Sequence, residues 1–249
     1  ENKFGISMAQ AMQLYVDAKN MVGVNVTGID FHIGSQLTNV QPVLNALERI
    51  LTMNDQLLTK GIEINHINIG GGLGIKYNDE KPPRPDEFIS AIKQKFNDVD
   101  LKIVIEPGRS IAANAGILIT RVEYLKQHED KNFAIIDGAM NDLIRPALYG
   151  AWQEIVPVNK APNNKVLAYD VVGPICESAD FIGKDRMLDI KQDDLLAIKS
   201  VGAYGFVMSS NYNSRPRAPE VLISGSDIHL IRERETTDDL FRNEYLSPI

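Results

Sequence analysis

Residues 64–74 read INHINIGGGLG, a short isoleucine-rich run that breaks into three consecutive glycines. The run predicts a buried strand, and the glycines predict a loop in which backbone can approach another group closely. Before it, residues 40–60 (VQPVLNALERILTMNDQLLTK) place Val43, Leu44, Leu47, Ile50 and Leu51 at helical spacing, with Gly61 positioned as a C-cap. Further upstream, an amphipathic helix over 7–20, capped by Ser7, precedes the β-branched run VNVTGIDFHIG, a strand ending near His32. After the glycines come a helical DEFISAIKQKF and a strand-then-turn LKIVIEPGRS. Three strands alternating with helices, each ending in a polar or glycine-rich loop, indicate a parallel α/β layer. Three such units cannot close a barrel, which takes on the order of 200–250 residues. Either the sheet is small and open, or further βα units precede it.

Beyond residue 112 the pattern changes. ILITRVEYLK, NFAIIDG, KVLAYDVVG, DLLAIKSVGAYG and EVLISGSDIHLI are β-rich runs with turn residues between them. The reading is therefore an α/β portion over 1–112, then a mostly antiparallel β domain over 113–249 with a short helix near TTDDLFRNEY. Loop 77–86, with three prolines, reads as a stiff surface excursion.

The chain has 249 residues, 44% apolar and 24% charged, and is long enough to bury a core without disulfide or metal staples. A net charge of −7 argues against nucleic acid as a partner. A single cysteine, Cys176, excludes a disulfide framework and points to a reducing, cytoplasmic setting. No run of eighteen apolar residues occurs, and the start, ENKFGISMAQ, has neither a signal-peptide core nor an initiator Met. The expectation is a sequence that opens inside a longer one, with no membrane partner.

Three motifs carry chemistry. IGGGLG (69–74) is either a tight turn or a phosphate cradle in which consecutive glycines bring backbone N–H groups close to an anion. EPGRS (106–110) puts Glu106 at a strand end, where a carboxylate needs a cation or strong donors; Gly108 exposes its N–H and Arg109 adds a cationic fork. The competing reading is a structural Glu106–Arg109 pair. FHIGSQ (31–36) supplies His32 and the Ser35 hydroxyl. All three lie at strand C-termini, where parallel barrels assemble their sites. A carboxylate, a phosphate cradle and an imidazole face suit a flat, phosphorylated, nitrogen-containing cofactor, for which pyridoxal phosphate is the natural candidate. No metal site is expected. In the β portion, Cys176 reads as a small buried hydrophobe, Tyr149 and Tyr204 as core aromatics, and Arg215 and Arg217, in a Pro-rich turn, as solvated or structural rather than catalytic.

FHIGSQ, NIGGGLGI, VIEPGRS, DGAMNDLIRPALYGA, VVGPICESAD and GAYGFVMSSNYNSRPR, in this order, resemble the diaminopimelate decarboxylase family, within the group of ornithine and arginine decarboxylases. The resemblance implies the C-terminal part of a pyridoxal-phosphate (β/α)8 barrel followed by a β domain, acting as a homodimer with shared active sites. It implies that His32 stacks on the cofactor ring, that Ser35, Gly71, Gly72, Gly108 and Arg109 hold the phosphate, and that Glu106 pairs with the ring nitrogen. Arg109, Arg145, Tyr149 and Tyr204 match substrate-binding positions, Tyr204 also lying near the cofactor. Cys176 and Glu177 match a pair contributed across the dimer interface, with Cys176 as proton donor. Arg145 favours a small diamino acid with a distal carboxylate, because amine-only substrates do without it.

The resemblance also equates the three strands with the last three of the barrel. It places the Schiff-base lysine upstream of Glu1, so the chain alone is expected to be inactive. Its strands, 26–32, 64–69 and 101–106, are expected to expose apolar barrel-interior surface unless another segment covers them. The alternatives are a non-catalytic homologue that regulates an active decarboxylase, a cofactor storage or delivery module, or a decarboxylase of another basic amino acid.

Overall fold

A computed structural model describes residues 3–97, 99–159 and 165–247, which divide into two compact units, Glu1–Ile111 and Ala112–Ile249.

The first unit alternates helices and strands: α1 (Met8–Lys19), β1 (Gly28–Asp30), α2 (Gln41–Thr59), β2 (His66–Asn68), α3 (Pro85–Gln94) and β3 (Lys102–Val104), followed by the helical turn α4 (Arg109–Ala112). Its helices start and stop where local chemistry dictates. Ser7 Oγ accepts the Gln10 N–H while Gln10 Oε1 accepts the Ser7 N–H, each at 3.3 Å, a reciprocal capping box. At the end of α2, Gly61 takes φ +64°, and the N–H groups of Gly61 and Ile62 return to the carbonyls of Leu58 and Leu57. That is a Schellman cap, in which glycine accepts the left-handed backbone at no steric cost.

The strands form a parallel sheet in the order β1-β2-β3, with Ile29, Ile67 and Ile103 in register. Those isoleucines face the helices, packing with Val43, Leu47, Ile50 and Leu57 of α2 and Phe88 and Ile92 of α3. Registers Gly28–His66–Lys102 and Asp30–Asn68–Val104 therefore share the opposite face. Within these registers that face carries Asp30, His66, Asn68 and Lys102 beside Gly28 and Val104, while Val104 and Ile105 are the exposed large apolar residues of the expected runs.

In the second unit, β4 (Ile117–Gln127), β5 (Asn132–Ile136), β6 (Ile155–Pro157), β7 (Leu167–Val172), β8 (Phe181–Leu188) and β9 (Leu195–Lys199) form one sheet in the order β6-β9-β4-β5-β7-β8. Every pairing is antiparallel except β5–β7. The outer strands β6 and β8 approach one another, so the sheet curls toward a barrel; a Cβ on Gly183 of β8 would lie 2.9 Å from Ile155 of β6. Val122, Ile136, Leu143, Tyr169, Ile182, Leu196 and Ile198 fill its core. The short helix α5 (Arg145–Tyr149) follows β5, and β10 (Glu220–Ser224) pairs with β11 (Asp227–Arg232) as a separate hairpin. The helix expected near TTDDLFRNEY is a 3₁₀ turn over Thr237–Phe241, in which Asp239 accepts the Thr236 N–H at 2.7 Å.

Candidate functional site

In the first unit, the loops leaving β1, β2 and β3 meet because glycines let them touch. A Cβ on Gly70 would lie 2.8 Å from His32 Nδ1, on Gly71 2.3 Å from the Glu106 carbonyl oxygen, and on Gly72 2.3 Å from the Gly34 carbonyl oxygen. Gly70 and Gly72 also have φ of +68° and +99°. The loops are then stitched by backbone: Glu106 N–H donates to Gly70 O, and Leu37 N–H donates to Gly72 O, both at 2.8 Å. The glycine run is thus a tight turn packed against the loops after β1 and β3. The N–H groups of Gly71, Gly72 and Gly108 have no acceptor among the described residues, and nothing lies within 4 Å of a Cβ placed on Gly108.

Around these N–H groups stand the charged side chains. Arg109 Nη2 donates to Ser35 Oγ at 3.0 Å and Nη1 to the Tyr77 hydroxyl at 2.6 Å. Glu106 Oε1 accepts from Asn68 Nδ2 at 2.6 Å, and Asn68 Oδ1 accepts the Gly70 N–H at 2.9 Å. The fold thus sends Arg109 to Ser35 and Tyr77, and gives Glu106 an amide donor, where the competing reading paired the two. His32, Ser35 and Glu106 are exposed. One cluster therefore contains His32, Ser35, Gly71, Gly72, Glu106, Gly108 and Arg109.

The second unit places Arg145 and Tyr149 four residues apart on α5, hence on one face, with the Arg145 guanidinium 5.4 Å from the Tyr204 ring centre. Tyr149 is 66% and Tyr204 37% exposed, so neither is a core aromatic. Cys176 is likewise exposed, contrary to its reading as a buried hydrophobe, and the neighbouring Glu177 is exposed too. Both follow from Asp180, a buried carboxylate whose oxygens accept the Met140 and Ile175 N–H groups at 2.7 Å each. Asp180 pulls the GPICESAD loop inward at its two ends, leaving Cys176 and Glu177 at its crest. Burial raises the Asp180 pKa, against the lowering effect of those two donors. A Cβ on Gly173 would lie 2.4 Å from its carboxylate. Burial likewise raises Asp142, which accepts the Ala139 N–H.

Arg215 and Arg217 both have hydrogen-bond partners within this unit. Arg215 donates to Asn141 Oδ1 and the Asp137 carbonyl, tying its own loop to the segment between β5 and α5. Arg217 pairs with Glu235 at 2.6 Å.

Sequence reasoning missed Asn68, Tyr77 and Asp180. Asn68 is a polar residue inside an apolar run, two positions before the first of the three glycines. Asp180 was quoted only as the end of a motif. Tyr77 sits at the head of the proline-rich loop yet is 9% exposed, and nothing in its neighbours marks it. Among the described residues, no group of three or more His, Cys, Asp or Glu is placed to hold a metal, and no helix is long and apolar enough to cross a membrane.

Residues 1–113 match the family model described as "Pyridoxal-dependent decarboxylase, pyridoxal binding domain". The chain is 55% identical over 251 residues to diaminopimelate decarboxylase of Pseudomonas aeruginosa, covering 100% of this chain and 60% of that protein. It is 51% identical to the Vibrio cholerae enzyme of the same name, with the same coverage. Among solved structures, AQ1208 from Aquifex aeolicus superposes with a TM-score of 0.93 at 44% identity, over 96% of this chain and 60% of that one. Diaminopimelate decarboxylase of M. jannaschii in co-complex with L-lysine gives 0.92 at 38%, over 100% and 59%. The chain thus spans about three fifths of the length of the relatives it matches. With these relatives, the parallel α/β unit is the C-terminal part of a (β/α)8 barrel and the second unit its following β domain. The chain is similar over its whole length to the diaminopimelate decarboxylases, and its first 113 residues match the pyridoxal-binding domain of pyridoxal-dependent decarboxylases.

Proposed function

We propose that this chain is part of a pyridoxal-phosphate-dependent carboxy-lyase that converts meso-2,6-diaminopimelate to L-lysine and carbon dioxide, the last step of lysine biosynthesis. The observation that carries this is the cluster at the strand ends. Open N–H groups of Gly71, Gly72 and Gly108 stand beside Arg109 and Ser35, with Glu106 and His32 on the adjoining loops. These residues fit the cofactor. The N–H groups, Ser35 and Arg109 bind its phosphate, Glu106 holds the ring nitrogen in its protonated form, and His32 covers the ring face. When bound, pyridoxal phosphate supplies an electron sink for the pair left behind as the carboxylate departs.

On this reading residues 1–112 are the cofactor-binding barrel portion and 113–249 the β domain. Arg109 and Arg145 bind substrate carboxylate, the latter with Tyr149 and Tyr204. Glu177 binds the distal ammonium, and Cys176 delivers the proton that replaces carbon dioxide. We assign Cys176 and Glu177 to the partner's active site in a homodimer of cytoplasmic subunits; their exposure at a loop crest supports this. The test is cofactor titration and carbon dioxide release by the full-length protein. Cofactor binding with turnover of meso-diaminopimelate, and none of ornithine or arginine, is expected. Absence of binding, or preference for an amine-only substrate, rejects the proposal.

A further inference from the structure

Asn68 touches all three loops of the cluster. Its backbone carbonyl accepts the N–H of Phe31, the residue before His32, at 3.0 Å. Its side-chain oxygen accepts the Gly70 N–H at 2.9 Å, and its side-chain nitrogen donates to Glu106 Oε1 at 2.6 Å. An amide carries one donor end and one acceptor end; here the acceptor end faces the Gly70 N–H and the donor end faces the Glu106 carboxylate, so the orientation of the group is fixed. Glu106 is otherwise an exposed side chain on a loop, with rotamer freedom that a cation-binding carboxylate must lose. One donor on Oε1 still leaves the second oxygen open, since a carboxylate has about four lone-pair sites.

We propose that Asn68 is a positioning residue. It holds Glu106 in one orientation toward the cofactor's ring nitrogen and, through Gly70, locks that orientation to the glycine loop that binds the phosphate. The cofactor's two ends are thereby referenced to a single side chain at the centre of the sheet. This rests on the pyridoxal-phosphate reading above.

The experiment titrates the apo form of the full-length protein with pyridoxal phosphate and records the absorption spectrum of the bound cofactor. Asn68→Ala is expected to weaken binding about 10- to 100-fold, the range for losing a hydrogen bond to a charged group. Its spectrum is expected to shift toward that of Glu106→Gln. In the Glu106→Gln background the same substitution is expected to cost less than about 3-fold, because its target carboxylate is gone. Equal losses in both backgrounds would reduce Asn68 to loop packing and overturn the proposal. Asn68→Asp keeps the size and the acceptor for Gly70 but removes the donor, so it should lose at least as much affinity. If the alanine variant does not fold, unchanged affinity and spectrum in Asn68→Asp overturn the proposal by themselves. A wild-type protein that binds no pyridoxal phosphate removes the functional reading itself, whereas normal wild-type binding with unaltered variants removes only the role of Asn68.

Discussion

A carboxylate on a loop serves chemistry only when it is held still and kept charged, and Glu106 meets the first condition through one amide donor at 2.6 Å. Replacing it by glutamine preserves shape but leaves a neutral partner for a protonated ring, and charge-assisted hydrogen bonds are roughly twice as strong as neutral ones. Glu106→Gln in the full-length protein should therefore lower turnover at least ~10²-fold, the scale of one preorganised electrostatic contact. Wild-type turnover with bound cofactor would make Glu106 structural. Arg145 poses the corresponding question for the substrate. Stacked against the exposed Tyr204 ring, it presents its charge beside Tyr149. Losing a desolvated partner of a carboxylate costs about 2–5 kcal/mol, or about 30- to several-thousand-fold in affinity. Arg145→Ala should lose that much for diaminopimelate, keep the cofactor spectrum, and bind L-lysine as weakly as before. Equal weakening of both ligands would remove the argument for a distal carboxylate.

At the scale of elements, the glycine loop after β2 and the turn after β3 hold different kinds of glycine. Gly72 has a left-handed backbone and would drive a Cβ to 2.3 Å from the Gly34 oxygen, whereas Gly108 has open space around it. Gly72→Ala should destabilise the fold by about 1–3 kcal/mol and abolish cofactor binding. Gly108→Ala should leave thermal stability within about 0.5 kcal/mol of wild type. Comparable melting of the two variants would contradict this division. The same loop shows how far sequence reaches. Helices α1 and α2 were legible to within a residue or two because Ser7 and Gly61 mark their ends chemically. The three chemical motifs were legible because each interrupts an apolar strand. Strand β8 was not, because Lys184, Asp185 and Arg186 interrupt its apolar pattern and a bulge against β7 turns Asp185 to φ +52°. The exposure of Cys176 was illegible for another reason: it follows from the buried Asp180 four residues on, whose N–H partners Met140 and Ile175 include one far away in sequence.

For the molecule as a whole, two units with separate cores mean that no single unfolding free energy describes the chain, so a stability prediction has to name its unit. In the second unit the β10–β11 hairpin is the weak part. Its side chains are largely exposed, and an isolated two-stranded ribbon is marginal in water. What closes it is a clamp at its base. Glu235 accepts from the Arg217 guanidinium at 2.6 and 2.7 Å, from the Arg217 N–H at 2.8 Å and from Asn211 Nδ2 at 2.7 Å. Those donors, the Arg217 side chain first, hold the Glu235 carboxyl down to about 2 from an ordinary value of 4.5. Because the folded value lies below the unfolded one, the unfolded state takes up the proton first as pH falls. The clamp's contribution is thus complete above pH 4.5 and is lost progressively as pH falls through about 2. Asp142 and Asp180, with pKa values raised by burial, act in the opposite sense: their contribution is present at low pH and fades as pH rises through their folded values. Hydrogen-exchange protection factors for Leu222 and His229, corrected for intrinsic rates, should fall between pH 4.5 and 2 in the wild-type protein. Glu235→Gln, with no charge to lose, should show low protection already at pH 6 and little further change on acidification. A variant that retained wild-type protection at pH 6 would place the hairpin's stability elsewhere, in its packing against Ile117, Leu118 and Val201 across the groove it lines.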